Sequence, residues 1–341
     1  MPVPRLVRRL VFPPAVMLLA FLVFTSTPLL LLGAAAASPL LPGRLRPLRI
    51  LLFALVYLAL EALVLIGLAL LWLAAGLGRR LDTPSFRRAH YRLAAWFLRV
   101  LLLVAQRAFN LRIETEGPEP LPSGPRVPLI VLARHAGPGD SFLLIHELLN
   151  VYRCYPRIVL KETMQWDPCV DIALNRLPAR FISPNPVHGS GVVESIAELA
   201  TAMGPDDALV IFPEGGDFSE RRRLRSIAKL EELGRSEEAA RARELRHVLA
   251  PRPAGALAAI GAAPEADVVF VAHTGLEDLS SVVDLWRGLP MDDQVKVRLW
   301  RVPATELPTD ENAQVEWLYA WWARIDDWID AEHGAPVAAS G

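Results

Sequence analysis

Two long uncharged runs near the start of the chain restrict its architecture most. Residues 11–42 carry no charged side chain, and residues 50–78 carry only Glu61. A helix needs roughly 20 apolar residues to cross about 30 Å of hydrocarbon, and both runs are long enough, with room for tilt. The join over 38–46 is short and bears Pro and Gly, as a tight helical hairpin needs. Two other readings of the first run stay open. Arg5, Arg8 and Arg9 before it and Ala34 to Ser38 after it fit a signal peptide, although such apolar regions usually span roughly 7–15 residues. Pro13, Pro14 and Pro28 would also suit a bent or re-entrant segment.

Basic residues mark the cytoplasmic side of a membrane. Arg5, Arg8 and Arg9 precede the first run. Arg79, Arg80, Arg87, Arg88 and Arg92 follow the second, and Arg44, Arg46 and Arg49 lie between. Both flanks of the hairpin are therefore expected in the cytoplasm. Glu61 is costly in mid-membrane, so a partner is expected from Thr25, Ser26 or Thr27. Residues 94–109 are apolar but interrupted by Arg99 and Arg107, and read as an interfacial helix.

The apolar excess, 52% hydrophobic residues with mean hydropathy +0.30, is concentrated in this first third. A formal net charge of −1 gives no global field favouring nucleic acid. Cys154 and Cys169 are the only cysteines, which suggests neither a disulfide framework nor a thiolate metal site and fits a reducing compartment. The length of 341 residues allows one large domain plus appendages, and no internal repeat is visible.

From Asn110 onward the pattern changes. Short β-rich runs at 129–132, 158–160, 180–182, 208–212, 268–272 and 295–299 read as buried strands. Helical patterns at 141–150 and 192–202, and a charged one at 219–247, fall between them. This alternation predicts an α/β domain, a mostly parallel sheet with flanking helices, preceded by the hydrophobic two-helix segment. The expected organisation is a membrane segment over 1–109 (helices near 11–37 and 50–78, and the interfacial helix near 94–109), a catalytic domain over 110–335 and a disordered tail over 336–341.

Two strand-to-helix junctions carry the chemistry. In Arg134-His135-Ala136-Gly137-Pro138-Gly139-Asp140-Ser141, a Gly/Pro turn can fold the carboxylate back onto the imidazole. Asp140 on one ring nitrogen fixes the tautomer, and the other nitrogen can take a proton from a hydroxyl. Taken alone, this stretch is read more economically as a helix capped by Asp140 with His135 in a turn. In Phe212-Pro213-Glu214-Gly215-Gly216-Asp217-Phe218-Ser219, a strand ends in a carboxylate and a run of backbone N–H groups that can bind anions or polyols, or simply turn into a capped helix.

Together and in this order, the two motifs resemble those of the glycerolipid acyltransferase family, whose first block is H-x-x-x-x-D and whose third is F-P-E-G. The Val159-Leu160-Lys161-Glu162 segment looks like the family's basic residue after a strand. The stretch from His247 through Pro251-Arg252 to Gly255 is similar to the Leu-x-Pro-Arg-Thr-x-Gly block of one branch, that of 1-acylglycerol-3-phosphate and lysophosphoinositide or lysocardiolipin acyltransferases. Glu316-Trp317 through Trp321 to Asp326 looks like that branch's C-terminal Trp-Leu segment. The similarity covers roughly residues 128–332.

The resemblance implies that His135 is the general base, that Asp140 orients it, and that the acceptor hydroxyl attacks an acyl-CoA or acyl-carrier-protein thioester directly. Glu214, Gly215, Gly216, Lys161, Arg180 and Arg252 are implied in binding substrate, with no metal and no cofactor beyond the acyl donor as co-substrate. The implied partners are membrane lipids, a lysophospholipid acceptor and the thioester donor. The implied place is the inner (cytoplasmic) membrane, with the catalytic domain on the cytoplasmic face.

Two positions depart from the family pattern. Typical members carry Arg or Lys after the strand that here ends in Phe181-Ile182-Ser183 and is followed by Pro184. They also carry Arg where this chain has Asp217. Both family cations are linked to acceptor phosphate, so the acceptor here is expected to be a phosphodiester or glycosylated lipid unless Arg134, Lys161, Arg180 or the Arg221–Arg223 cluster substitutes. Two other classes compete: an inactive relative that binds lipid or scaffolds, and a membrane hydrolase pairing His135 with Ser141, which lacks a G-x-S-x-G elbow.

Overall fold

The computed structural model describes residues 3–41, 43, 45–117, 126–182, 191–277 and 294–334. Three long helices open the chain: α1 (Arg5–Ala37), α2 (Arg46–Ala74) and α3 (Pro84–Phe109). Seven strands follow: β1 (Arg112–Glu116), β2 (Leu129–Ala133), β3 (Tyr155–Lys161), β4 (Ala179–Ile182), β5 (Asp207–Ile211), β6 (Asp267–Thr274) and β7 (Gln294–Val302). Between and after the strands lie α4 (Pro138–His146), α5 (Pro168–Leu174), α6 (Val192–Thr201), α7 (Glu220–Glu232), α8 (Ser236–Glu244), α9 (Pro253–Ala262) and α10 (Glu311–Gly334). The strands form one sheet in the order β1-β7-β6-β2-β5-β3-β4. Parallel pairing joins β2 to β5 and β6, and β3 to β4, while β7 runs antiparallel to β6.

Each strand expected from the β-branched runs is present. β1 was not foreseen, because RIETE is polar and largely exposed and so lacks an apolar face to read. The charged stretch 219–247 is not one helix but two, α7 and α8, separated at Gly234, which adopts φ +72. A left-handed backbone is open to glycine without a Cβ clash, and it ends the first helix.

The chain divides into two compact units. The first comprises residues 1–112, 142–191 and 282–294. Helix α1 continues through Pro13, Pro14 and Pro28 without a break. Helices α1 and α2 are both long and apolar enough to cross a membrane. Leu18, Leu19, Phe21, Leu22, Leu29 and Leu32 of α1 are exposed, an apolar surface larger than a water-soluble protein ordinarily leaves uncovered.

Segment 142–191, read from the sequence as part of the catalytic domain, packs with these helices. Val64, Leu65 and Leu68 of α2 bury against Cys169 of α5, joined by Val16, Leu93 and Phe97. The buried Arg8 guanidinium donates to Gln165 Oε1 at 2.9 Å and to Asp171 Oδ1 at 3.0 Å, and Arg9 Nε reaches Asp171 Oδ2 at 3.3 Å. Two arginines that looked like flanking charges therefore fasten α1 to α5.

Glu61 does not bond to Thr25, Ser26 or Thr27. The Thr25 hydroxyl donates to Phe21 O and Leu22 O, and that of Thr27 to Val23 O, all within α1. Buried Glu61 instead meets Tyr57 of its own helix and Cys169 of α5, because the face of α2 that carries it turns toward α5.

The second unit comprises residues 113–141, 192–281 and 295–341. Its core is β2, whose LIVLA sequence is buried throughout, with Val268 to Ala272 of β6 and Ala208 to Ile211 of β5 on either side. Phe270 stacks on Trp321 at 4.4 Å between ring centroids and meets Trp317 and Trp322 edge-on, so α10 closes one face of the sheet. Cys154 and Cys169 are free and buried. Pro184 and the tail beyond residue 335 lie outside the described residues.

Candidate active site

The second unit assembles a histidine between two carboxylates at the carboxyl end of β2, where open α/β sheets place ligands. The β2 ladder extends one step past the strand, with Arg134 N donating to Val271 O at 2.9 Å. Arg134 is almost wholly buried. Its guanidinium donates to His273 O, His247 O and Glu277, tying the ends of β2 and β6 to the 247 segment. These bonds are all internal, and the side chain is 1% exposed.

His135 follows. Its Nδ1 lies 3.1 Å from Asp140 Oδ1 and 3.0 Å from Oδ2. Asp140 sits in the first turn of α4, where carboxylates are favoured, and its Oδ2 also accepts from the amides of Ala136 at 2.6 Å and Gly137 at 3.0 Å. The Gly137-Pro138-Gly139 turn thus folds the carboxylate under the ring. The cap reading and the dyad reading hold together: one carboxylate organises the turn and holds the imidazole. Ser141 Oγ donates to Asp140 Oδ1 at 3.1 Å, so this hydroxyl is spent on the carboxylate, which weighs against a Ser141 nucleophile. Nothing in the sequence pointed to His273, whose Nε2 stands 3.3 Å from Asp140 Oδ2. It comes from β6, far along the chain, and only strand pairing brings it here.

The second motif braces the first. Glu214 is buried, and its two oxygens accept from His135 N at 3.0 Å and Leu249 N at 2.8 Å. Phe218 N donates to His135 O at 2.7 Å. Glu214 therefore acts on the backbone that carries the base, and is a positioning residue. Burial pushes its carboxyl up to about 7 against the pull of the two amides, Arg134 and His135. The Phe212 ring packs on the imidazole, with centroids 4.4 Å apart.

Gly215 has φ +71, and a Cβ there would lie 2.9 Å from Arg252 Nη1. The left-handed turn favours glycine here, and the Arg252 guanidinium rests on it. Arg252 is exposed, and its own N–H donates to Pro213 O at 2.9 Å. Gly216 lies next along the same turn, near Arg222. Behind the site, Asp326 of α10 accepts the amides of Arg246 and His247, holding the segment that supplies Leu249 and Arg252.

His135, Asp140, Glu214, Gly215, Gly216 and Arg252 thus come together. Lys161 and Arg180 belong to the other unit, exposed on the adjacent parallel strands β3 and β4. In the Arg221–Arg223 cluster, Arg223 is occupied by Leu245 O, Arg243 O and Glu220.

The sequence did not foresee the place of Asp217. Its Oδ1 lies 2.7 Å from His135 Nε2. Arg222 Nη1 holds its other oxygen at 3.1 Å and its carbonyl at 2.9 Å. Burial alone would lower the imidazole pKa, but the carboxylates of Asp140 and Asp217 on its two nitrogens raise it to about 9. Asp140 is held far below the usual carboxylate range: burial pushes it up, but the two histidines prevail. The His135 contact, helped by Arg222, brings Asp217 down to about 2.

A mostly parallel α/β sheet thus carries an Asp-oriented histidine at a strand end, backed by a buried glutamate from a Pro-Glu-Gly-Gly turn. The Acyltransferase family model matches residues 112–259. The structure is similar to the crystal structure of the 1-acyl-sn-glycerophosphate (LPA) acyltransferase PlsC from Thermotoga maritima. The TM-score is 0.53 at 15% identity, over 86% of this chain and 99% of that one. An uncharacterized acyltransferase of Schizosaccharomyces pombe is 22% identical over 184 residues, which are 51% of this chain and 50% of that protein. The chain therefore spans about half the length of this curated relative. Residues 112–259 thus match the Acyltransferase family.

Proposed function

We propose that the protein is a membrane-bound O-acyltransferase that moves a fatty acyl group from acyl-CoA or acyl-carrier protein to the hydroxyl of a lysophospholipid, in phospholipid synthesis or remodelling. The observation that carries this reading is the His135–Asp140 pair at hydrogen-bond distance, on a backbone clamped by Glu214. In this reading His135 Nε2 removes the acceptor's hydroxyl proton. The alkoxide attacks the thioester carbonyl, the C–S bond breaks, and the thiol leaves with the proton from His135. Asp140 holds the ring by Nδ1 and stabilises the imidazolium. Arg252 and the Gly215-Gly216 turn offer a cation and backbone amides to an acceptor headgroup, and Lys161 and Arg180 remain proposed substrate contacts. Incubating the purified protein with acyl-CoA and a panel of lysolipids tests this: acylated product from one acceptor class is expected, and none from any would discard it.

The acceptor is proposed to be a lyso-phosphodiester or glycolipid rather than lysophosphatidic acid. A phosphomonoester carries close to two charges near neutral pH and a phosphodiester one. A carboxylate about 4 Å from a unit anion repels it by roughly 4 kcal/mol at an effective dielectric of 20, before Arg222 and salt reduce this. Asp217 therefore costs the monoester more. In competition at matched concentration, the wild type should favour the phosphodiester, and Asp217→Arg should move the ratio toward lysophosphatidic acid. A wild type that prefers lysophosphatidic acid, with the ratio unmoved by Asp217→Arg, would return the assignment to a plain lysophosphatidate acyltransferase.

The proposed organisation is a membrane segment over 1–109 and a catalytic domain over 110–335, with the catalytic domain on the cytoplasmic face of the inner membrane. The arginines flanking the hairpin and the cytoplasmic origin of acyl thioesters support this side. Because both native cysteines are buried, a cysteine placed at exposed Ser236 gives a clean label. An impermeant thiol reagent should reach it only after lysis, and labelling in intact cells would put the domain outside.

A further inference from the structure

We propose that Asp217 is a latch that occupies the acceptor's place on His135 and so keeps the base from activating water against the bound thioester. The inference rests on the acyl-transfer reading above. Its two anchors are the two contacts an acceptor would make. Asp217 Oδ1 sits 2.7 Å from His135 Nε2, where the acceptor hydroxyl must stand to lose its proton. Oδ2 sits 3.1 Å from Arg222 Nη1, a cation that an acceptor headgroup can take over.

With Asp140 on Nδ1 and Asp217 on Nε2, both ring nitrogens point N–H bonds at carboxylates, and the ring in that state has no lone pair to act as a base. An acceptor carrying both a hydroxyl and an anionic or polar headgroup replaces both contacts of the latch together. Water replaces only the first and leaves Arg222 holding the carboxylate in place. The latch therefore discriminates between acceptor and water. Proximity alone would not, since water is small and concentrated at any open base.

The reaction held back is hydrolysis of the donor. A water proton passes to His135 Nε2 and the water oxygen bonds to the thioester carbonyl carbon. The C–S bond breaks and the thiolate takes the proton from His135, giving a fatty acid and a free thiol. Asp217 is half-buried on an irregular segment between β5 and α7, free of the sheet ladder and so able to swing aside. Among the described residues, the charged and titratable groups bonded or paired around the imidazole are Asp140 from α4, His273 from β6 behind Asp140, Asp217 with Arg222 of α7, and Glu214 and Arg134 behind the backbone. Of these, Asp217 and Arg222 lie on the Nε2 side.

The test uses the full-length protein with palmitoyl-CoA, with and without the acceptor found by the lysolipid panel, for the wild type, Asp217→Ala and Arg222→Ala. Thiol release without acceptor should rise about tenfold or more in Asp217→Ala, within the roughly 10²–10⁴-fold that a general base supplies. It should rise less in Arg222→Ala, which frees one anchor only. The rising limb of the pH–rate profile, which an imidazole raised to about 9 places on the alkaline side in the wild type, should move to lower pH in Asp217→Ala, since a carboxylate that favoured the imidazolium is gone. Unchanged acceptor-free hydrolysis and an unmoved limb in both variants, with a wild type that transfers normally, would overturn the latch. If the wild type acylates no lysolipid while Asp217→Ala still gains hydrolysis, the latch stands and the acceptor assignment falls.

Discussion

Replacing His135 by alanine should lower acyl transfer by about 10²–10⁴-fold, the usual contribution of a general base, while the protein remains folded. The fold is expected to survive because the contacts that order this segment are made by the His135 backbone. Its N–H donates to Glu214 and its carbonyl accepts from Phe218, and alanine keeps both. What is lost is the ring, its packing on Phe212 and the only nitrogen aimed away from Asp140. Steady-state rates beside a thermal unfolding curve check this. A folded His135→Ala protein turning over within a few-fold of wild type would remove the mechanism.

Asp140→Asn should be comparably severe in activity and worse in stability. The amides of Ala136 and Gly137 both donate to Oδ2, so the asparagine oxygen is drawn to that position and its NH₂ group to the other. There it faces His135 Nδ1, which must then present a lone pair. The ring proton moves to Nε2, the nitrogen that has to receive the acceptor's proton. A histidine in the wrong tautomer loses up to about 10⁴-fold in rate in enzymes built on such a pair. Misplaced hydrogen bonds at a buried site should also cost about 1–3 kcal/mol of stability. The measurement is kcat together with the unfolding midpoint, and a variant active to within threefold would show that Asp140 only caps its helix.

The first third of the chain was legible because its signal is long: α1 and α2 follow from uncharged runs that admit few alternatives. The strands were legible because buried β-branched runs such as LIVLA and DVVFVAHT keep one character for their whole length. β1 carried no such character. The charged stretch 219–247 looked like one helix because its composition is uniform, and the break at Gly234 depends on a backbone conformation that composition does not display.

For the site, the local pairings came from the sequence alone. His135 and Asp140 are joined by a four-residue turn whose Gly and Pro content lets only a few conformations close, and Glu214 to Gly216 end a strand. The sequence could not tell what those groups would touch across the fold. Glu214 turned inward to brace His135 and Leu249, Arg134 became a buried staple, and Arg8 fastened α1 to α5 in place of standing free beside it. His273 reached Asp140 only through the pairing of β2 with β6. Asp217 was visible as a departure from a family pattern, but its position on His135 Nε2 was not. Short-range geometry is fixed by covalent reach, so spacing and residue type suffice for a turn. Contacts between residues distant in sequence depend on strand register and on which face each helix buries, and packing of the whole domain determines both.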